Sequence, residues 1–509
     1  MVKTKRRLSS RTSSPVRFDV IVVGAGPAGS VVAWGLARQG AKVLILDRAN
    51  FPRDKVCGDY VEPRGLRILQ HMGVLADLEK SQPLPITHSA TYIRSICRYR
   101  GPIPFYGECS NLPTHGYIIP RSFLDNLILQ CAIAAGSTLV EGAAVVHLLT
   151  SANGVQAMVE QGGGRKLTYK AALLVGADGT NSVVARRTGL TVNDGRHIAV
   201  AQRGYAEGLP RQTKDPEEAA FYFDDHLFPG YGWLFPMKDG RANVGVGILA
   251  ETQSRYGINV SGLFKRFFES LKKSNPRYRA LKLCGPPTGG IVRTYGGAQT
   301  NYFAGGLLVG DAGSFVDPMT GEGITPSLES SLLATPILLQ ALEKGRFDAA
   351  FLSAYQTSFR EYFDPSMLFS EFCACLLRNR SLRRSWLNAA VLGCQEAQQD
   401  HQFARTAGAC FGGIQLQPMA VLLRVSSFAL SHFLQMWPRA FTRASGSQNA
   451  VQLGVADILG WQADLFASFL AHPVWHGQWM LDVQSAWLRA AAVFGRQNLR
   501  YTVCGLDPP

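Results

Sequence analysis

The most specific chemistry in this chain sits in Gly24-Ala25-Gly26-Pro27-Ala28-Gly29, with Asp47 following 23 residues after Gly24. Glycines at this spacing allow a tight turn at Gly24, let bare backbone approach a pyrophosphate at Gly26, and let a helix pack closely on a strand at Gly29. A carboxylate about 20 residues on accepts hydrogen bonds from a ribose. A second group is Tyr231 and Trp233, which alternate with Gly232 and Leu234. A strand would turn both rings to one face, where they either pack a sheet or line an apolar cavity. His472 and His476 are four apart, as in some metal sites, but Pro473 interrupts a helix between them and no third ligand is evident, so no metal is expected.

These residues need particular elements to position them. Residues 17–24 form a short β-branched run suited to a buried parallel strand. A helical segment runs to Gln39 and stops at Gly40, and Ala41–Leu46 reads as a second strand ending in Asp47-Arg48. Strand, glycine loop, helix, strand and terminal acid together make a dinucleotide-binding unit. Further on, Arg121 opens a helical stretch that leads to a strand pair near Ser137–Leu149, and Gly162–Gly164 reads as a hairpin turn. The strand Ala171–Val175 ends in Gly176-Ala177-Asp178-Gly179. Gly306–Val309 runs into Gly310-Asp311-Ala312-Gly313, and Thr320-Gly321-Glu322-Gly323-Ile324 opens another helix. The chain therefore reads as α/β at first and mostly helical after residue 345.

Composition bounds the remaining classes. At 509 residues the chain exceeds one ordinary core, and 46% hydrophobic against 17% charged residues excludes general disorder. The net charge is +15, and residues 1–17 hold Lys3, Lys5, Arg6, Arg7, Arg11 and Arg17 without an acid, which reads as a disordered basic tail. The rest of the charge is dispersed and no nucleic-acid module is recognisable, so nucleic acid is not an expected partner. No stretch approaches ~18 uninterrupted apolar residues, so no transmembrane helix is expected. The best candidate, Met419–Trp437, is broken by Arg424. Ten cysteines without a C-x-x-C pair read as mostly buried thiols of a reducing compartment, which fits a cytoplasmic protein.

Two further segments carry a family resemblance: Phe51-Pro52-Arg53-Asp54-Lys55-Val56-Cys57-Gly58 and Pro229-Gly230-Tyr231-Gly232-Trp233-Leu234-Phe235-Pro236. With the glycine loop, the Asp178-Gly179 and Gly310-Asp311 motifs and Thr320–Ile324, the chain resembles flavoproteins of the hydroxybenzoate-hydroxylase fold, and within them the geranylgeranyl reductase family. The resemblance spans about residues 17–345. The family pattern P-x-x-Y-x-W-x-F-P is matched except that its first proline stands at 229 rather than 228. Ser327 and Ser331 stand where the family commonly has Ala and Gly, and Gly310-Asp-Ala-Gly-Ser replaces Gly-Asp-Ala-Ala-Gly.

The resemblance implies a Rossmann-type FAD-binding domain interleaved with an antiparallel substrate sheet, plus a helical C-terminal region. The expected division is a tail at 1–16, an FAD domain at 17–195 and 291–345, a substrate sheet at 196–290, and a helical part at 346–509. FAD would be held by Gly24, Gly26, Ala28, Gly29, Asp47, Arg48, Cys57, Gly58, Arg121, Asp178, Gly179, Gly310, Asp311, Gly321, Gly323 and Ile324, the last helix turning its N-terminus to the flavin. Tyr231, Trp233 and Phe235 would line the cavity for a lipophilic, isoprenoid substrate. Cys57 would lie near the flavin, as a proton donor complementing hydride transfer or as packing. The implied activity is reduction of C=C bonds. The alternatives are an FAD monooxygenase and a non-redox FAD-containing cyclase or scaffold. No second dinucleotide fingerprint appears, so electrons would come transiently from NAD(P)H or from a reduced carrier protein. Six of the eight tryptophans follow residue 380, and this Trp-rich part would form a core stripe or touch a membrane surface peripherally.

Overall fold

The computed structural model describes residues 18–103, 112–211, 217–298, 300–411, 424 and 466–493. The basic tail and nearly all of the 419–437 segment lie outside the described residues, as do Trp437 and Trp461.

The apolar run at the start forms the strand Phe18–Val23, central in the first sheet. It pairs in parallel with Val43–Leu46 on one side and with Arg165–Gly176 on the other. Thr138–Val140 and Gly306–Leu308 extend this parallel core. Both faces are covered, which explains the unbroken apolar sequence. Val20, Val22, Val43 and Ile45 pack under the helices, while Ile21, Val23, Leu44 and Leu46 meet the core on the other side. The strands expected as a pair near Ser137–Leu149 are present but do not pair with each other. Thr138–Val140 joins Val43–Leu46, and Ala144–Ser151 joins Gly154–Gln161. The first needs a parallel neighbour at the edge of the central sheet, whereas the second folds into an antiparallel hairpin with Gly154–Gln161, whose own return to Arg165–Gly176 is closed by Gly162–Gly164.

The second sheet is mainly antiparallel and contains Ile198–Glu207, Glu218–Phe223, Tyr231–Pro236, Arg241–Leu249 and Thr288–Arg293. It also takes in His88–Ile93 and Ile96–Pro102 from far upstream. The amphipathic helix Val260–Ser274 covers one face with Leu263, Phe264, Phe267, Phe268 and Leu271 against Tyr222, Leu234, Val244 and Val246. Period-two alternation therefore sends Tyr231, Trp233 and Phe235 to the other face, which meets the first sheet's loops.

The helices Ile324–Lys344 and Ala354–Leu377 continue the core, and Pro473–Ala491 packs on the latter. Trp479 donates from Nε1 to the Cys375 carbonyl at 2.8 Å, and Arg255 lies 3.9 Å over the Trp475 ring. No helix among the described residues is long and apolar enough to cross a membrane. The seven described cysteines are free, but only Cys375 is fully buried and Cys284 is exposed, so most are half-buried rather than buried.

Candidate active site

The glycine loop leaves its strand through Gly24, whose φ of +103° few other residues adopt. A Cβ on Gly24 would stand 2.3 Å from the Ala177 carbonyl oxygen, so this turn rests directly on the Asp178-Gly179 segment. The helix Pro27–Arg38 crosses so close behind that a Cβ on Gly29 would lie 1.8 Å from the Gly24 oxygen. At Gly26 the space is open apart from Arg53 at 3.3 Å. The helix carries no side-chain cap and no acid in its first turn, so its N-terminal N–H groups are available to an anion. Asp47 ties the loop to the next strand by accepting from Ala25 N at 2.7 Å and Ala49 N at 2.8 Å. This cradle fits a dinucleotide pyrophosphate. Arg48 is exposed beside it.

The Gly-Asp motif arrives at the same place. A Cβ on Gly310 would be 2.8 Å from the Ala28 Cβ. Ser331 donates to the Ala28 carbonyl at 2.8 Å and so stitches the two helices together. Asp311 is buried and takes Lys55 Nζ at 2.8 Å and Thr180 Oγ1 at 3.3 Å. Burial pushes its carboxyl up, but Lys55 and its other partners outweigh this and hold it below the usual range. Asp178 accepts from Ser182 Oγ and Val183 N, capping the short helix Val183–Arg187 and ordering that loop.

Tyr231 donates its hydroxyl to the Thr320 carbonyl and lies 3.5 Å from where a Gly321 Cβ would stand. Ile324 is buried as the first residue of its helix. At the N-terminus of that helix Glu322 accepts the Thr325 N–H at 2.7 Å, so a carboxyl occupies part of that terminus. Glu322 belongs to a buried cluster. Arg64 binds Glu329 at 2.9 Å and Glu62 at 2.5 Å, and Tyr362 donates to Glu329 at 2.7 Å. Burial pushes the Glu62 and Glu322 carboxyls up.

Cys57 joins the two halves of the site. A Cβ on its neighbour Gly58 would meet Phe235 at 3.2 Å and the Trp233 indole nitrogen at 3.6 Å. The Arg121 side chain is buried, is held by Asp125 at 2.7 and 2.9 Å, and faces the Cys57 sulfur. Asp125 also holds Arg53 at 2.8 Å. Behind the loop, Arg203 and Asn243 donate to the Cys57 carbonyl at 3.2 and 2.9 Å. Asn243 also donates to Asp59 at 2.9 Å and accepts from Trp233 Nε1 at 2.9 Å. Tyr205 donates to Asp59 at 2.5 Å.

The expected residues therefore converge, apart from the exposed Arg48. Lys55, Asp59, Arg203, Tyr205 and Asn243 were not foreseen. Lys55 and Asp59 flank Cys57 and could have been singled out as ionisable neighbours of a thiol. Nothing local marks Arg203, Tyr205 or Asn243. At the tail, His476 bonds Asn379 and Ser468, and no group of His, Cys, Asp or Glu among the described residues could hold a metal.

Burial drives the Asp59 carboxyl from the usual 3.8 up to about 7, against Tyr205, Arg203, Arg121 and Asn243. Between those values the folded state holds a proton that the unfolded state has lost. Asp59 therefore favours folding fully below the lower value, and this is lost as pH rises through about 7. We expect Asp59→Asn to remove on the order of 2 kcal/mol of the stability change between about pH 5 and about pH 7, at about 1.4 kcal/mol per pH unit. Denaturant midpoints across that range check it, and parallel curves for the two proteins would contradict it.

An FAD binding domain matches residues 17–239 and a geranylgeranyl reductase catalytic domain matches residues 201–286. The menaquinone reductase of Mycolicibacterium smegmatis is 32% identical over 71% of this chain and 85% of its own. Digeranylgeranylglycerophospholipid reductase 2 of Methanothermobacter thermautotrophicus is 32% identical over 68% of this chain and 84% of its own. Among solved structures, a geranylgeranyl bacteriochlorophyll reductase-like protein of Thermoplasma acidophilum superposes with a TM-score of 0.68 at 22% identity, covering 82% of this chain and 100% of that one.

Proposed function

Because the chain belongs to the geranylgeranyl reductase family of FAD-dependent oxidoreductases, we propose that it saturates C=C bonds in the isoprenoid chain of a lipophilic substrate. The observation that carries this reading is the aromatic face of Tyr231, Trp233 and Phe235 laid against the Cys57-Gly58 loop. The relatives named for menaquinone and for a digeranylgeranyl phospholipid support the substrate class. Reduced FAD, when bound, supplies the electron pair and one hydrogen.

The chain's own residues divide the remaining work. Gly24, Gly26, Ala28, Gly29 and Asp47 bind the dinucleotide, with Arg48 at the rim. Gly310, Asp311, Gly321, Gly323 and Ile324 bind it from the other side, and Asp178 and Gly179 order the loop beneath. Tyr231, Trp233 and Phe235 exclude water and orient the alkene, since positioning is the largest contribution available to such a site. Cys57 Sγ holds the second hydrogen as a proton, with Gly58 leaving room for the rings and Arg121 fixing the sulfur. Burial pushes the Cys57 thiol up, against Arg121, so it stays protonated at neutral pH. The substrate part comprises 196–290 together with His88–Pro102, and the cofactor part the rest of 17–345. NAD(P)H or a reduced carrier protein delivers electrons transiently. Val474, Leu481 and Leu488 are exposed and seven residues apart on one face of Pro473–Ala491, which supports peripheral contact with a lipid surface.

The test is anaerobic turnover of FAD-loaded, reduced protein with a polyprenyl substrate, followed by mass analysis. We expect a gain of two hydrogens per turnover without oxygen. Cys57→Ala should retain its flavin and lose about a hundredfold in product rate. A product that requires oxygen and gains an oxygen atom would establish the monooxygenase instead, and isomerisation without electron consumption the scaffold.

A further inference from the structure

We propose that Asp59 is a positioning residue that governs the proton on Cys57: its buried carboxyl counters the Arg121 charge at the thiol and keeps that thiol loaded. This rests on the reading of Cys57 as the proton donor. The geometry is specific. Asp59 is fully buried and has a φ of +62°, uncommon for a residue with a side chain, which the surrounding contacts must maintain. Its Oδ2 receives Tyr205 and Asn243, whereas Oδ1 is buried without a hydrogen-bond partner among the described residues. Its backbone N–H is directed to the Cys57 sulfur, and the amide of Asn243 bridges its carboxylate to the Cys57 carbonyl. Trp233 donates to the same Asn243, so the aromatic face and the acid form one hydrogen-bonded unit.

The ionisable groups facing Asp59 come from two elements and its own loop. Arg203 and Tyr205 lie on the strand Ile198–Glu207, Arg121 opens the helix Arg121–Ala134, and Cys57 precedes it by two residues. Arg121 alone would favour a thiolate, which cannot protonate carbon. A carboxylate in the same dry space makes the thiolate costly. In the reaction the alkene π bond breaks, one new C–H bond takes its hydrogen and electron pair from the reduced cofactor, and the other takes the proton from Cys57 Sγ. The thiolate left behind regains one proton from solvent, so no further oxidant or reductant is involved. The Asp59 charge drives that recovery toward the thiol.

The experiment needs no substrate. Oxidised, FAD-loaded protein is alkylated with iodoacetamide across about pH 6 to about pH 10, and the Cys57 peptide is quantified by mass spectrometry to separate it from the other cysteines. Asp59→Asn should shift the Cys57 profile down by about one pH unit, making alkylation about tenfold faster at a pH above about 7, where Asp59 is ionised, and below the wild-type midpoint. Tyr205→Phe removes a bond that stabilises the Asp59 charge, so it should shift the profile in the same direction by less. This second variant keeps the test decisive if Asp59→Asn fails to fold. Profiles that superimpose on the wild type would overturn the proposal. A shifted profile in a protein that saturates no alkene would sink the reductase reading and leave the Asp59–Cys57 coupling standing. Saturation with unmoved profiles would sink the coupling alone.

Discussion

Gly29→Ala should yield a protein that binds no FAD and is less stable by about 4 kcal/mol or more. The added methyl would sit 1.8 Å from the Gly24 carbonyl oxygen and 3.2 Å from the Ala177 Cβ, both in the buried join of strand and helix. Neither neighbour is the free end of a flexible side chain, so the helix Pro27–Arg38 must move away from the strand Phe18–Val23. That movement also carries off the uncapped N–H groups that are available to a pyrophosphate. Gly26→Ala is the informative partner, because only the Arg53 guanidinium, at 3.3 Å, approaches its added methyl and its φ of −72° suits any residue. It should fold with a loss of about 1 kcal/mol or less, yet bind FAD weakly because the methyl enters the cofactor's space. Flavin absorbance per mole of protein and denaturant midpoints separate the two effects. Full flavin occupancy in either variant would place the pyrophosphate elsewhere.

Arg64→Met should cost about 3–5 kcal/mol at neutral pH, because it strips the cation from a buried group of acids. Arg64 lies on the helix Pro63–His71 and reaches Glu329 on the helix Ile324–Lys344, where neither side chain is more than 6% exposed. Glu62 and Glu322 share the same space and are already pushed up by burial. Without Arg64 they ionise less readily still, so the loss should shrink as pH falls and they take up protons. Arg64→Met with Glu329→Met should recover most of the stability, since removing both members of a buried pair is far cheaper than removing one. Equal midpoints for the single variant and the wild type would mean the cluster is balanced without Arg64. The cluster braces the Thr320–Ile324 loop through Glu322, so flavin affinity should follow stability in this series.

How much of this was legible in advance depends on how local the signal is. The glycine loop, its flanking strands and the helix opened by Arg121 follow from residues close together in the chain, because turns, caps and periodicities are short-range. The aromatic face was legible for the same reason, since alternation by two settles which rings share a side. The pairing of Thr138–Val140 and Ala144–Ser151 was not, because either could have partnered the other and only distant strands decide between them. Nor could the sequence say that the helix at Ile324 has its Thr325 N–H already taken by Glu322.

By itself, then, the sequence determined that this chain builds a dinucleotide cradle, presents an aromatic strand, and places a thiol in a basic loop. The tertiary structure decided what charge surrounds that thiol. Arg203 reaches the Cys57 carbonyl across 146 residues and Asn243 reaches the Asp59 carboxyl across 184. The physical reason is that a proton's affinity depends on desolvation and on the sum of nearby charges, and both are properties of a folded interior.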